Sequence, residues 1–204
     1  MVNENNLNTY VYELDNNLYI NLTNDCSNAC EFCVRNGKDS YYGNELWLEK
    51  EPTVKDVTDK LQDISKFNEI VFCGFGEPTY KLDVLIEVAK FVKLKGGKTR
   101  LNTNGQGSLI NGFDITEKLK GIIDKVNVSL NEANSEKYQK ICHSIYGEKA
   151  YDELLDFAVK CREKGIDVIL SIVDSIGKED IKKCEILAKK NNLKLKVREF
   201  IENS

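Results

Sequence analysis

Apolar positions recur along this chain with two alternating periods. Residues 10–14 and 18–23 alternate apolar and polar, the period of half-buried strands. Asp15-Asn16-Asn17 between them is turn chemistry, so the pair predicts a hairpin. A cysteine-rich loop, 24–35, comes next, then a polar stretch dotted with aromatics, 36–51. From Pro52 the period lengthens to that of helices. Thr53 followed by Asp56 reads as a capping box, and Val54, Val57, Leu61 and Ile64 form an apolar stripe. Leu82, Leu85, Val88, Ala89 and Val92 form another, which stops at Gly96-Gly97. Residues 115–123, 135–141, 151–163 and 179–191 read as further helices. Short apolar runs between them predict strands at 69–73, 98–103, 125–130, 167–173 and 194–198.

With 18–23, this makes six strands separated by helical segments, the signature of a parallel α/β fold. A complete eight-stranded barrel typically needs about 250 residues. This chain of 204 has room for six units. Periodicity alone fits either a partial barrel or an open doubly wound sheet. No linker rich in Pro, Gly or Ser divides the chain, so residues 1–204 are expected to form one domain.

Composition narrows the function classes. The chain is 41% apolar and 30% charged, which excludes a mainly disordered protein. A net charge of −4 without a basic run gives nucleic-acid binding no electrostatic support. The longest apolar runs, such as 168–173, are too short to cross a bilayer, and residues 1–6 do not resemble a secretory signal. A cytoplasmic protein without a membrane partner is expected. Its seven cysteines, an odd number, are expected to be reduced thiols rather than a disulfide framework. One histidine, His143, excludes a His-rich zinc site and any Ser-His or Cys-His mechanism centred elsewhere.

Cys26, Cys30 and Cys33 form a C-x3-C-x2-C cluster in the loop after the first parallel strand. Three thiolates so close repel unless a cation neutralises them, which suits zinc or an iron–sulfur cluster. Three ligands leave one iron of a four-iron cluster open to substrate. A structural zinc knot is the alternative on spacing alone. Cys73-Gly74-Phe75-Gly76-Glu77-Pro78 ends the next strand, and its glycines allow close backbone approach. Cys161 and Cys184 fall at helical spacing with apolar neighbours and read as core, as does Cys73 at its strand end. Cys142, beside His143, reads as a loop cysteine or a thiol near the site. Tyr41, Tyr42 and Trp47 suggest either a lid or a covering patch, and Arg35 and Arg198 either surface charges or anion contacts.

The C-x3-C-x-aromatic-C pattern of Cys26, Cys30, Phe32 and Cys33 resembles the signature of the radical S-adenosylmethionine (radical SAM) superfamily. Gly74-Phe75-Gly76-Glu77-Pro78 resembles its G-G-E-P motif, with Phe75 where glycine is commonest. Asn102-Thr103-Asn104-Gly105 and Val128-Ser129-Leu130-Asn131 are similar to its segments ending the third and fourth strands. A narrower resemblance, to the small TatD-linked radical SAM proteins, rests on the hairpin, Cys33-Val34-Arg35-Asn36 and residues 72–79.

The resemblance implies a partial (β/α)6 barrel behind a short N-terminal hairpin strand. It implies a [4Fe–4S] cluster on Cys26, Cys30 and Cys33. SAM, reductively cleaved to a 5′-deoxyadenosyl radical, would abstract hydrogen from a substrate. Phe32 would pack near the adenine, and Gly74, Phe75, Gly76 and Glu77 would line the methionyl amino group. Asn102, Asn104, Ser129, Asn131 and Ser171 would supply polar contacts, with Asp174 a further one. An electron donor such as flavodoxin or ferredoxin is implied. A short barrel without an appended domain resembles members acting on a protein, peptide or nucleic acid. The alternatives are a non-catalytic zinc or electron-carrier protein and a glycyl-radical-enzyme activase.

Overall fold

The computed structural model describes residues 8–199. Residues 1–6, whose composition argued against a secretory signal, lie outside them. Strands β1 (Val11–Leu14) and β2 (Asn17–Ile20) form the expected antiparallel hairpin. Asp15 and Asn16 take positive φ of 51° and 58°, the conformation of tight hairpin turns and one that Asn and Asp tolerate. Within the 36–51 stretch, β3 (Ser40–Tyr41) and β4 (Asn44–Glu45) make a separate small hairpin. Helix α1 (Val54–Thr58) and strand β5 (Ile70–Phe72) follow. Then come α2 (Leu82–Leu94), β6 (Thr99–Thr103), α3 (Gly107–Asn111), α4 (Thr116–Leu119), β7 (Lys125–Ser129), α5 (Ser135–Cys142), α6 (Lys149–Glu163), β8 (Asp167–Val173), α7 (Lys178–Lys190) and β9 (Lys194–Arg198).

The main sheet runs β1-β2-β5-β6-β7-β8-β9, and every pair after the hairpin is parallel. Register sorts its residues into two faces. Ile20, Phe72, Leu101, Val126, Val128, Val168, Leu170 and Ile172 are buried in one core with α2, α5 and α6. The opposite, inner face carries Tyr19, Val71, Arg100, Asn102, Asn127, Ser129, Ser171, Lys196 and Arg198. The Arg198 guanidinium acts electrostatically on the Cys73 thiol just past β5. Four strand spacings separate them, about 19 Å in a flat sheet. The sheet therefore curls around its polar face, as in a partial barrel. Among the described residues no helix is long and apolar enough to cross a membrane.

Two helical expectations are corrected. The Val54–Ile64 stripe yields only the five residues of α1, although its Thr53 capping box forms. Leu61 and Ile64 are still buried, but from turns, where Asp63 accepts the backbone N–H and hydroxyl of Ser65. The 115–123 helix shrinks to α4, because Gly121 takes a φ of 76°. The preceding α3 was not foreseen.

Candidate functional site

The cysteine loop follows β2, the Gly-Phe-Gly-Glu-Pro loop follows β5, Asn104 follows β6 and Asn131 follows β7. All therefore gather at the C-terminal edge of the parallel strands, where α/β folds place ligands.

Glycine lets these loops touch. A Cβ on Gly76 would sit 2.3 Å from the Thr23 carbonyl oxygen and 2.6 Å from that of Asp25. One on Gly74 would sit 2.0 Å from Asn21 Oδ1. The Glu77 N–H closes the contact by donating to the Asp25 carbonyl at 2.8 Å. The Glu77 carboxylate turns inward and is buried. Its Oε1 accepts the Thr79 and Thr103 hydroxyls, each at 2.8 Å, and its Oε2 accepts the Asn104 N–H at 2.7 Å. Glu77 thus ties the loop after β5 to the loop after β6. Burial pushes its pKa up against those hydrogen bonds.

The cysteine loop is seated on the end of α5. Ala29 N–H donates to the Cys142 carbonyl and Glu31 N–H to that of Ile141, both at 3.0 Å. Ile145 N–H donates to the Ser27 carbonyl at 2.9 Å. Carbonyls left over at a helix C-terminus are thereby satisfied by the loop. His143 takes the left-handed conformation that ends the helix, and its Nε2 lies 3.2 Å from Glu31 Oε1. Beneath the loop runs a buried polar network. Gln106 Nε2 donates to Asn28 Oδ1 (2.8 Å) and the Tyr138 hydroxyl (2.9 Å), while its Oε1 accepts from Ser144 at 2.9 Å. Asn104 donates to the Ser27 hydroxyl at 2.9 Å and lies 3.9 Å from Cys26 Sγ. Arg35 donates to the Asn24 carbonyl at 2.9 Å and, at longer range, to those of Phe75 and Asn28.

Cys26, Cys30 and Cys33 are all half-buried, and Cys30 lies close enough to act electrostatically on both others. Burial, with Glu77 nearby, pushes the Cys26 thiol up to about 12. Burial also raises Cys33, while the Arg35 guanidinium favours its thiolate. Cys30 is raised by a hydrogen bond with the Cys142 thiol and by burial. Bare thiolates are thus disfavoured here, and a cationic centre would supply the missing stabilisation. Among the described residues no group of three or more His, Cys, Asp or Glu side chains converges as a metal-ion site. One zinc ion needs every sulfur within about 2.3 Å of a single point. A four-iron cluster would be held by the three thiolates as its ligands. The donor set, three thiols on one loop, fits the cluster.

The other expected site residues divide into two groups. Asn102, Ser129 and Ser171 lie on the inner face, with Ser129 and Ser171 paired across β7 and β8. Asn102 accepts from Asn127 Nδ2 at 3.1 Å. Asn131 is buried with a φ of 60°; its Nδ2 lies 3.5 Å from Cys142 Sγ, and its Oδ1 has no hydrogen-bond partner. Phe32 packs on the edge of the main core. Phe75 is buried in a second cluster with Tyr12 and Leu46, and Trp47 meets it edge-on. Asp174 lies in the turn after β8. The parts that sequence reasoning did not find are Gln106, Asn28, Tyr138 and the end of α5. Separate polar residues on three segments carry no spacing signal.

A family model described as the Radical SAM superfamily matches residues 20–189. The chain is 32% identical over 145 residues to a probable GTP 3′,8-cyclase of Thermococcus kodakarensis, covering 71% of this chain and 44% of that one. It is 26% identical over 162 residues to a putative glycyl-radical enzyme activating enzyme of Methanocaldococcus jannaschii, covering 76% and 54%. The chain spans about half the length of these relatives. Among solved structures, Streptococcus suis SuiB bound to precursor peptide SuiA matches with a TM-score of 0.70 at 18% identity, over 94% of this chain and 41% of that chain. SuiB bound to S-adenosylmethionine matches with a TM-score of 0.65 at 18% identity, over 90% and 38%.

Proposed function

The chain belongs to the radical SAM superfamily, whose members are enzymes using a [4Fe–4S] cluster and SAM, and from that premise we propose how its own residues serve the chemistry. Cys26, Cys30 and Cys33 hold the cluster, residues 1–204 act as one core domain, and the substrate is a peptide or protein. A cluster held by these cysteines would supply reductive chemistry: one electron from a donor such as flavodoxin or ferredoxin would cleave SAM to methionine and a 5′-deoxyadenosyl radical able to take hydrogen from the substrate.

The observation that carries this reading is the seating of the three-cysteine loop at the strand ends, against both the Gly74–Glu77 loop and α5. Glu77 keeps the two loops at one height without spending its carboxylate on a ligand. Gly74 and Gly76 are taken up in seating this loop against Asn21, Thr23 and Asp25, and the backbone of residues 74–76 is the part of it that would meet the methionyl end of SAM. Asn102, Ser129 and Ser171 give the curled inner face hydrogen-bonding groups for the rest of it. Phe32, at the core edge, stiffens the loop between the second and third ligands. The peptide-bound state of SuiB supports a peptide substrate. The narrower likeness to TatD-linked proteins and a cytoplasmic location rest on the sequence features given above.

The test is anaerobic reconstitution with iron and sulfide, then dithionite and SAM, with 5′-deoxyadenosine as readout. The expected result is cleavage by wild type and a loss of at least 100-fold in Cys30→Ala. Tightly bound zinc, without iron uptake or cleavage, would overturn the proposal in favour of a structural knot. Iron uptake without cleavage would make the protein an electron carrier.

A further inference from the structure

Cys142 has no part in the function proposed above, yet the residues on either side of Cys30 are hydrogen-bonded to the carbonyls of Cys142 and Ile141. We infer that Cys30 and Cys142 are a redox modification site: when the loop holds no cluster they close a reversible disulfide. This rests on the proposed function only in treating Cys30 as a cluster ligand.

The backbone brings the pair together. Ala29 N–H bonds the Cys142 carbonyl and Glu31 N–H the Ile141 carbonyl, so Cys30 is held against Cys142 from both sides. Hydrogen bonds on both flanks of Cys30 therefore bring its backbone into contact with the last turn of α5. A disulfide bridges Cα atoms about 4.4–6.8 Å apart. Asn131 Nδ2, at 3.5 Å from Cys142 Sγ, holds that sulfur from the other side. The remaining buried cysteines, Cys161 and Cys184, sit in the core of α6 and α7.

Cys30 is half-exposed and Cys142 fully buried, so a small disulfide from solution reaches Cys30 first. With oxidised glutathione at alkaline pH, Cys30 loses its proton to solvent as it attacks one sulfur and releases one glutathione thiolate, leaving a mixed disulfide. The Cys142 thiolate then attacks the Cys30 sulfur and releases the second glutathione. Two protein thiols are oxidised, one glutathione disulfide is reduced to two thiols, and the two protein protons pass through solvent to the glutathiones. The bridge withdraws a ligand from the loop and shields it from irreversible oxidation until a reductant opens it.

The test uses cluster-free protein with oxidised glutathione at pH 8.5, alkylation, and digestion after Glu and Lys. Cys142 then lies alone in fragment 141–148, and a cut after Glu31 parts Cys33 from Cys26 and Cys30. Fragmentation between Cys26 and Cys30 separates those two. The expected product joins 141–148 to Cys30, with two fewer free thiols per chain, and dithiothreitol reverses it. Iron uptake by the oxidised protein should fall at least fivefold and return on reduction. In Cys142→Ser, Cys30 should stop at the glutathione adduct. The inference is overturned if Cys30 bridges Cys26 or Cys33, if 141–148 is recovered alkylated, or if every thiol stays reduced. The wild-type map decides even if the variant fails to fold. Neither readout involves SAM cleavage, so failure here is distinct from failure of the proposed function.

Discussion

The β/α body and the cysteine loop are held by different forces. The body is sealed by apolar side chains: Leu101, Val126, Val128, Leu170 and Ile172 are all fully buried against the helices. Residues 21–39 contain no strand or helix, and apart from Leu22 in the core and Phe32 and Val34 at its edges, what fixes them is polar. Gln106, Asn104 and the α5 carbonyls each satisfy a group that the loop cannot pair with itself, while Arg35 ties the loop to its own Asn24 and Asn28 carbonyls. Burial is non-directional and tolerates small shifts, whereas hydrogen bonds specify position. The stable half of the molecule is thus built from the less specific force, and the half that must present three sulfurs accurately is built from the more specific one.

That contrast can be broken by substitution. Leu170→Ala removes a fully buried outer-face side chain and should cost about 2–5 kcal/mol. A melting temperature lower by roughly 5–20 °C would register it, while iron bound per folded chain stays unchanged. Gln106→Ala leaves Asn28 and Ser144 with unmet groups, at about 1–3 kcal/mol. Here the expected signature is local: hydrogen exchange at Ala29 and Glu31 should rise, and iron uptake should fall. If exchange in the loop is unchanged, the network is not what holds it. Arg35→Met should be smallest in stability, about 1 kcal/mol, because water can replace the donor at a half-exposed position. Faster exchange confined to residues 24–36 is the readout, and a uniform change across the sheet would contradict the division.

The same contrast explains what could be read from sequence. Strand positions 98–103, 125–130, 167–173 and 194–198 were legible to within a residue or so because an apolar face repeats every second residue. The site motifs were legible because their residues are contiguous: Cys26 to Cys33 and Gly74 to Glu77. The polar network was not, because Asn28, Gln106, Tyr138 and Ser144 meet only after four connections have folded. Glu77 was visible as a residue type but not in its orientation. Whether a buried carboxylate faces a ligand or clasps a neighbouring loop depends on Thr79, Thr103 and the Asn104 N–H, which lie up to 27 positions away. The lost helix at 115–123 shows the reverse error. Its apolar spacing was real, and Ile115, Leu119 and Ile123 are all buried, but Gly121 ended the helix so that Ile123 reaches the core from a turn.

The seating of the cysteine loop on α5 also has a consequence during synthesis. All three cysteines have been synthesised by residue 33, but Ile141 and Cys142, whose carbonyls hold the loop, come more than a hundred residues later. At about 5–20 residues per second the thiols wait on the order of ten seconds without their support. The loop gains its seat for a cluster only once residue 142 has been made, and whatever protects nascent thiols must act on this segment from its first appearance.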